Sequence, residues 1–345
     1  MTLVGTGTLR HIFHKLRNRI APPALILLYH RVAEVDSDPW SLSVTPQNLT
    51  EHHEGIRKRA IPVPLKQLTK ALQNGKRVPR SIVITFDDGY ANNFHIVKPL
   101  LERYDIPATV FVTSGYMGKS EEFWWDELDQ ILLQPRGLPE ELHLHIKGSI
   151  HSWTLGAAVE YSEEDYRRDA GRPAQEAETG SRLFLYYSVW QQLQTLPNEQ
   201  RREALAEIMA WANVKPVARP THRPLTSDEV CMLEQGGLIE VGAHTVTHPL
   251  LATYSLSFQR DEIRTGKRDL EDLLGHPVTS FSYPHGSYTA ETVGLVREAG
   301  FNRACSTITD SIGWRNTDLL QLPRFSVGNW GGEEFDRRLS TWLRC

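Results

Sequence analysis

Short runs rich in apolar and β-branched residues recur along the chain at 24–29, 81–86, 108–113, 238–241, 278–283 and 302–306. A short continuous run of this kind leaves no polar face for water, so it reads as a strand buried on both sides in a parallel sheet. Between the runs lie helical stretches. Thr45-Pro46 opens a helix over 46–59 with proline at its first position. A proline-punctuated extended piece at 61–65 precedes a helix to about Leu72, and another helix is expected over 92–103. Thr226-Ser227-Asp228-Glu229 is a capping box whose helix stops at Gly236-Gly237. A long helix at 257–274 ends at Gly275, and a shorter one at 289–299 ends at Gly300. This alternation predicts parallel βα units.

The alternation breaks between about 121 and 224. That stretch holds Trp124-Trp125-Asp126, then a hairpin (141–146 with 150–155) around Lys147-Gly148-Ser149. An acidic stretch dotted with glycine and proline follows, then helices at 181–196 and 198–212 separated by Pro197. It reads as a largely helical insertion over the mouth of a barrel, where inserted loops set substrate specificity. The expected organisation is a basic leader at 1–23, closed by Pro22-Pro23, and an α/β barrel at 24–345 interrupted by the insertion. The last βα-like piece contains Leu320-Gln321-Leu322-Pro323-Arg324-Phe325.

Composition narrows the class. The 345 residues can hold one large barrel or two smaller domains, and 40% hydrophobic with 23% charged residues is ordinary for a globular protein. A net charge of -4 offers nothing to nucleic acid. No apolar stretch reaches the ~18 residues of a membrane span. Cys231, Cys305 and Cys345 are scattered without a CxxC, which fits a reducing compartment. The early residues lack a secretory apolar region. Residues 9–20 form a basic amphipathic stretch, which reads either as a solvated terminal helix or as a peripheral contact with an anionic membrane. A cytoplasmic protein, peripheral on the inner face of the cell membrane, is therefore expected.

The candidate chemistry sits at strand ends. The run 81–86 feeds Asp87-Asp88-Gly89. One reading is a turn whose aspartate caps the next helix. The other is a cation beside the pair, since two adjacent carboxylates cannot both stay anionic cheaply without one. His244-Thr245-Val246-Thr247-His248 follows the 238–241 run and Gly242, and on a helical turn its two imidazoles would share a face. One carboxylate with two imidazoles leaves open positions on a divalent ion, as at a catalytic zinc. Asp88 can then bind the ion while Asp87 takes a proton from water. Phe281-Ser282-Tyr283-Pro284-His285-Gly286 is either a loop aiming an N–H at an oxyanion or a plain Pro-Gly turn.

Thr85-Phe86-Asp87-Asp88-Gly89, the His244–His248 pair and the Tyr283-Pro284-His285-Gly286 loop together resemble the first three motifs of the polysaccharide deacetylase family. This is carbohydrate esterase family 4, with its NodB homology domain. The resemblance covers about 24–120 and 225–325. It implies a distorted (β/α) barrel that removes N- or O-acetyl groups from sugars with a divalent metal, zinc. It makes Asp87 the general base, Asp88, His244 and His248 the metal ligands, and the His285 N–H the oxyanion donor. Two departures stand out. Ser282 occupies the place of an arginine that steers the base, and Arg324 is its replacement or else an ordinary surface ion pair. The run ending in an acid histidine stands at the N-terminus, as 25–30, which resembles the circularly permuted exopolysaccharide branch and makes His30 the general acid.

Tyr283, Pro284, Gly286 and Trp125 are the expected substrate contacts. The expected substrate is an N-acetylated glycan or glycolipid precursor of bacterial surface polysaccharide. An amidase acting on a non-sugar amide, and a non-catalytic carbohydrate-binding descendant, are the alternatives.

Overall fold

The computed structural model describes residues 23–76, 78–313 and 317–344. Apart from Pro23, the basic leader and its membrane contact lie outside the described residues. No helix among the described residues is long and apolar enough to cross a membrane.

The apolar runs form one parallel sheet. Every residue of Leu25–Tyr29, Ser81–Phe86 and Ala108–Val112 is buried. From one edge the order is Arg303–Cys305, Ser280–Ser282, Ile239–Ala243, Ala108–Val112, Ser81–Phe86, Leu25–Tyr29 and Phe325–Ser326. Leu28 pairs with Thr85, Phe86 with Val110, and Phe111 with Gly242. The sheet curls until its two edges meet through one segment. Leu322 bridges to Cys305, and three positions on, Phe325 pairs with Leu27. The result is the expected distorted (β/α) barrel, in which the carboxyl ends of all strands face one mouth.

Helix bounds depart from expectation where backbone chemistry requires it. The 92–103 helix divides into a π-helical turn, Asn93–Val97, and an α-helix, Lys98–Tyr104. Pro99 has no N–H to give to the preceding turn, so the ladder widens there. The widened turn is put to use at the mouth. Asn92 Oδ1 accepts from the Val32 N–H at 3.1 Å, and Asn93 Nδ2 donates to the His30 carbonyl at 3.0 Å. A C-terminal helix, Gly332–Trp342, was not foreseen; it packs on Pro46–Arg59, where Arg59 pairs with Asp336.

Residues 121–224 carry their own apolar cluster. The helices Trp124–Leu132, Arg182–Leu193 and Asn198–Ala212 surround the hairpin Glu141–Ile146 with Ser149–Thr154. Leu142, Leu144 and Ile146 point inward, and their neighbours in the strand face solvent. Tyr90 and Tyr116 from the barrel loops join this cluster, so it is continuous with the barrel mouth.

Arg182 holds the cluster together from inside. It is 1% exposed, and its guanidinium donates to the carbonyls of Ala158, Leu132, Arg136 and Val159 at 2.8–3.2 Å. Arg182→Met would remove the shared donor of these four carbonyls, of which Val159 keeps the Leu138 N–H at 2.9 Å, so it should lower stability by roughly 3–5 kcal/mol in urea unfolding. A loss under about 1 kcal/mol would show that the carbonyls find other partners.

Candidate active site

The strand Ser81–Phe86 delivers the two aspartates in different directions. The Asp87 N–H donates to the Tyr29 carbonyl and so continues the sheet pairing. Asp88 and Gly89 then turn into the left-handed region, at φ 74° and 86°. That conformation is unfavourable for a non-glycine residue and is held here by tertiary contacts. A Cβ on Gly89 would meet Val112 at 3.2 Å.

Asp87 faces Arg324. The guanidinium Nη1 and Nη2 donate to its two carboxylate oxygens at 2.7 Å each, and Ser282 Oγ donates to Oδ2 at 3.0 Å. Arg324 is fully buried, so it is not a surface ion pair. Burial alone would push the Asp87 carboxyl up, but Arg324 and His244 outweigh it and hold the group below the usual carboxylate range.

Asp88 faces the histidines. His248 Nε2 lies 3.3 Å and His244 Nε2 3.5 Å from Asp88 Oδ1, while His244 Nε2 lies 4.0 Å from Asp87. His244 Nδ1 donates to the Ser282 carbonyl at 2.8 Å, so in the neutral ring Nε2 presents a lone pair toward the carboxylate. Two acceptors facing each other require a proton or a cation between them. Burial pulls the His248 pKa down despite Asp88, so that ring holds a proton poorly. Its Nδ1 is buried without a hydrogen-bond partner. Ligand atoms of Asp88, His244 and His248 fall within 4.8 Å of one another, a donor set that fits a divalent cation with positions left open.

The two histidines do not share a helical turn. Residues 244–248 form an irregular loop with Thr245 and His248 at positive φ, 62° and 56°. Flanking backbone and one carboxylate impose this shape. Ser114 and Gly115 N–H groups donate to the Thr245 and Val246 carbonyls, and a Cβ on Gly115 would lie 2.5 Å from the Val246 oxygen. Glu262 accepts from the Val246 and Thr247 N–H groups at 2.9 Å each and from Thr247 Oγ1 at 2.8 Å. Glu262 was missed from sequence. Its signal was a carboxylate on the buried stripe of Leu256–Leu274, beside Ile263 and Gly266.

Asp87, Asp88, His244 and His248 line a cavity of about 280 Å³. His30, Trp125 and His285 also line it. His30 is half-buried; burial lowers its pKa, while Asp88 and Asp87 pull it up. The His285 ring lies 4.4 Å from that of His248, at a residue with φ 55°. The Trp125 ring lies 4.9 Å from His248, and its Nε1 donates to the Tyr90 hydroxyl at 2.9 Å. Tyr90 in turn donates to Asp126 at 2.8 Å, and Asp126 pairs with Arg31 at 3.0 Å.

Tyr283, Pro284 and Gly286 do not line the cavity, which corrects their expected role as substrate contacts. Tyr283 points into the barrel core and donates to the Leu320 carbonyl at 2.8 Å. Pro284 is buried, and Gly286 sits against Thr307, where a Cβ would clash with its hydroxyl. All three shape the turn that presents His285. Their places on the wall are taken by Trp40, Leu42, Gln175, Trp190 and Thr307, which sequence reasoning did not single out.

A curled parallel barrel with this acid–imidazole cluster at its mouth places its candidate chemistry at the carboxyl ends of the strands, where barrel enzymes keep their active sites. The family model for polysaccharide deacetylase matches 74–178 and 191–304, more than half of the chain and part of the inserted segment. The chain belongs to the polysaccharide deacetylase family. It is 33% identical over 82 residues to a poly-β-1,6-N-acetyl-D-glucosamine N-deacetylase of Escherichia coli K12, covering 23% of this chain and 12% of that protein. A Staphylococcus epidermidis enzyme of the same name is 33% identical over 110 residues, covering 28% of this chain and 38% of that one. The chain thus spans well under two thirds of these relatives. In fold it is similar to IcaB of Ammonifex degensii, with TM-score 0.58, 14% identity, and 94% and 98% of the two chains covered. The deacetylase PplD of Streptococcus pyogenes gives TM-score 0.56 at 15% identity, with 92% and 99% covered.

The ligand set predicts that the purified protein takes up one divalent cation and that Asp88→Ala does not. Glu262→Ala, acting through the loop, should weaken cation affinity roughly 10–100-fold by titration. Full metal content in Asp88→Ala would remove Asp88 from the set.

Proposed function

We propose that this protein removes the acetyl group from an N-acetylated sugar of a glycan or glycolipid precursor, with a divalent cation bound by Asp88, His244 and His248. The observation that carries the reading is the split between adjacent carboxylates. Asp88 faces two imidazoles, while Asp87 is gripped by Arg324 and kept anionic. The curated relatives named as N-deacetylases of an acetylated glucosamine polymer support the substrate class.

A bound divalent cation, zinc in this reading, supplies Lewis acidity, polarising an acetyl carbonyl and making water more acidic. Asp87 accepts the proton of the attacking water. Its carboxylate suits that role because Arg324 occupies both oxygens in the plane and fixes the direction of the remaining lone pairs. The loop at His285 presents an N–H to the oxygen that gains charge. His30, which also lines the cavity, gives a proton to the departing sugar amine. A depressed imidazole pKa makes its protonated form the stronger acid.

Asp87→Asn should therefore retain the metal and lose roughly 10²–10⁴-fold in acetate release from an N-acetylated oligosaccharide. Activity near that of the unaltered protein would assign the base elsewhere. His30→Ala should cost about 10²-fold on an amide, and less on an aryl acetate whose leaving group needs no proton. An equal loss on both substrates would give His30 a role other than acid.

A further inference from the structure

Resting on the deacetylase reading, we propose that the cavity is a pocket for one terminal N-acetylated sugar, and that a glycan enters it by its end. On one side its rings run without a break. Trp125 lies 4.9 Å from His248, His248 4.4 Å from His285, His285 6.1 Å from Trp190, and Trp190 4.0 Å from Trp40. Trp124 fills in behind, 5.7 Å from Trp125 and 5.9 Å from Trp190. Barrel loops and insertion thus make one rim.

The Trp40 end of this rim is anchored. The Trp40 indole donates to the Tyr186 hydroxyl at 2.6 Å, and the Tyr186 hydroxyl reaches the Trp125 carbonyl at 3.3 Å. Next door, the Ala174 N–H donates to the Pro39 carbonyl at 2.8 Å, and Leu42 N–H to Asp38 Oδ1 at 3.0 Å. The strap at 38–42 and the turn Ala174–Glu176 are therefore joined, and exposed Gln175 lines the cavity beside them.

Size and chemistry decide what fits. At about 280 Å³ the cavity is just below the ~300–1,000 Å³ that hold drug-sized ligands, so one acetylated pyranose fills it. A polymer lying across the site would need a groove open at both ends; in this proposal the Trp40–Trp190 pair on the cavity wall, with rings 4.0 Å apart, stops a chain that would run on past the cavity. Indole faces suit the C–H face of a pyranose, and the Gln175 amide suits its hydroxyls. Trp40, Trp190 and Gln175 are the specificity-determining residues.

The test uses the metal-loaded protein and β-linked N-acetylglucosamine oligomers of increasing length, with acetate release followed by mass-spectrometric sequencing. One acetyl group should leave each oligomer, from a terminal sugar, and kcat/KM should vary by less than roughly tenfold beyond the dimer. Trp190→Leu should raise KM roughly three- to tenfold at similar kcat and admit internal sugars. Gln175→Ala, at an exposed position, should raise KM without moving the unfolding midpoint. Loss of acetyl groups from internal sugars in the unaltered protein overturns end-on entry and leaves the deacetylase reading standing. No acetate from any oligomer overturns both.

Discussion

The buried pairing of Arg324 with Asp87 is the constraint on which the barrel mouth depends. Taking both charges out of water costs several kcal/mol each, and the pair is tolerable only if every donor is met. All five guanidinium N–H groups are met: Nε by the Ser306 carbonyl, Nη1 by Thr85 Oγ1 and Asp87, Nη2 by Asp87 and Ser282 Oγ. Those partners stand at the ends of three different strands, and Arg324 itself comes from the segment that closes the barrel. Strand register and the orientation of the base are thus fixed by the same set of bonds. A lysine could not reproduce this planar fork.

Neighbouring carboxylates would otherwise repel one another, and the chain separates them by backbone geometry as much as by charge. Sheet pairing holds Asp87 extended, whereas Asp88 is thrown into a left-handed conformation one residue later. His248 and His285 are likewise at positive φ, so three cavity residues occupy backbone states that cost free energy. Their surroundings enforce the strain: Val112 beneath Gly89, Gly115 under Val246, and Thr307 against Gly286. These contacts set the directions of the site's side chains without a ligand, the kind of preorganisation that the proposed reaction would use.

What could be read from sequence follows the range of the interactions. Buried strands and the aspartate and histidine motifs were legible because each is written in consecutive residues. The nature of the His244–His248 turn was not, because Glu262 and Gly115, far off in sequence, decide it. Arg324 could be named as a candidate, but its complete burial depends on closure of the barrel. Tyr283 looked like a pocket residue and is a core residue, because only the fold shows which way a strand end points. Trp40 and Trp190 carried no local signal, being single tryptophans in a polar strap and on a weakly amphipathic helix.

The inserted segment is bonded into the site and does not merely cover it. Arg31 follows His30 directly, and Asp126 follows Trp125, so their ion pair fastens one cavity residue of the barrel to one of the insertion. Burial raises the Asp126 pKa to about 7 even with Arg31 pulling it down, so the pair is held at considerable cost. Tyr90, the residue after the Asp87-Asp88-Gly89 turn, donates to that carboxylate and accepts from the Trp125 indole. Leu225, where the insertion returns to the barrel, donates its N–H to the Gly89 carbonyl. Displacement of the insertion would therefore move the aspartate turn, the His30 strand end and the tryptophan wall together. The strap at 38–42 belongs to the same network, because Arg31 also donates to Asp38 Oδ1 at 3.5 Å and through its N–H to the Leu42 carbonyl at 3.1 Å, and the Ala174–Glu176 turn is joined to it at Pro39.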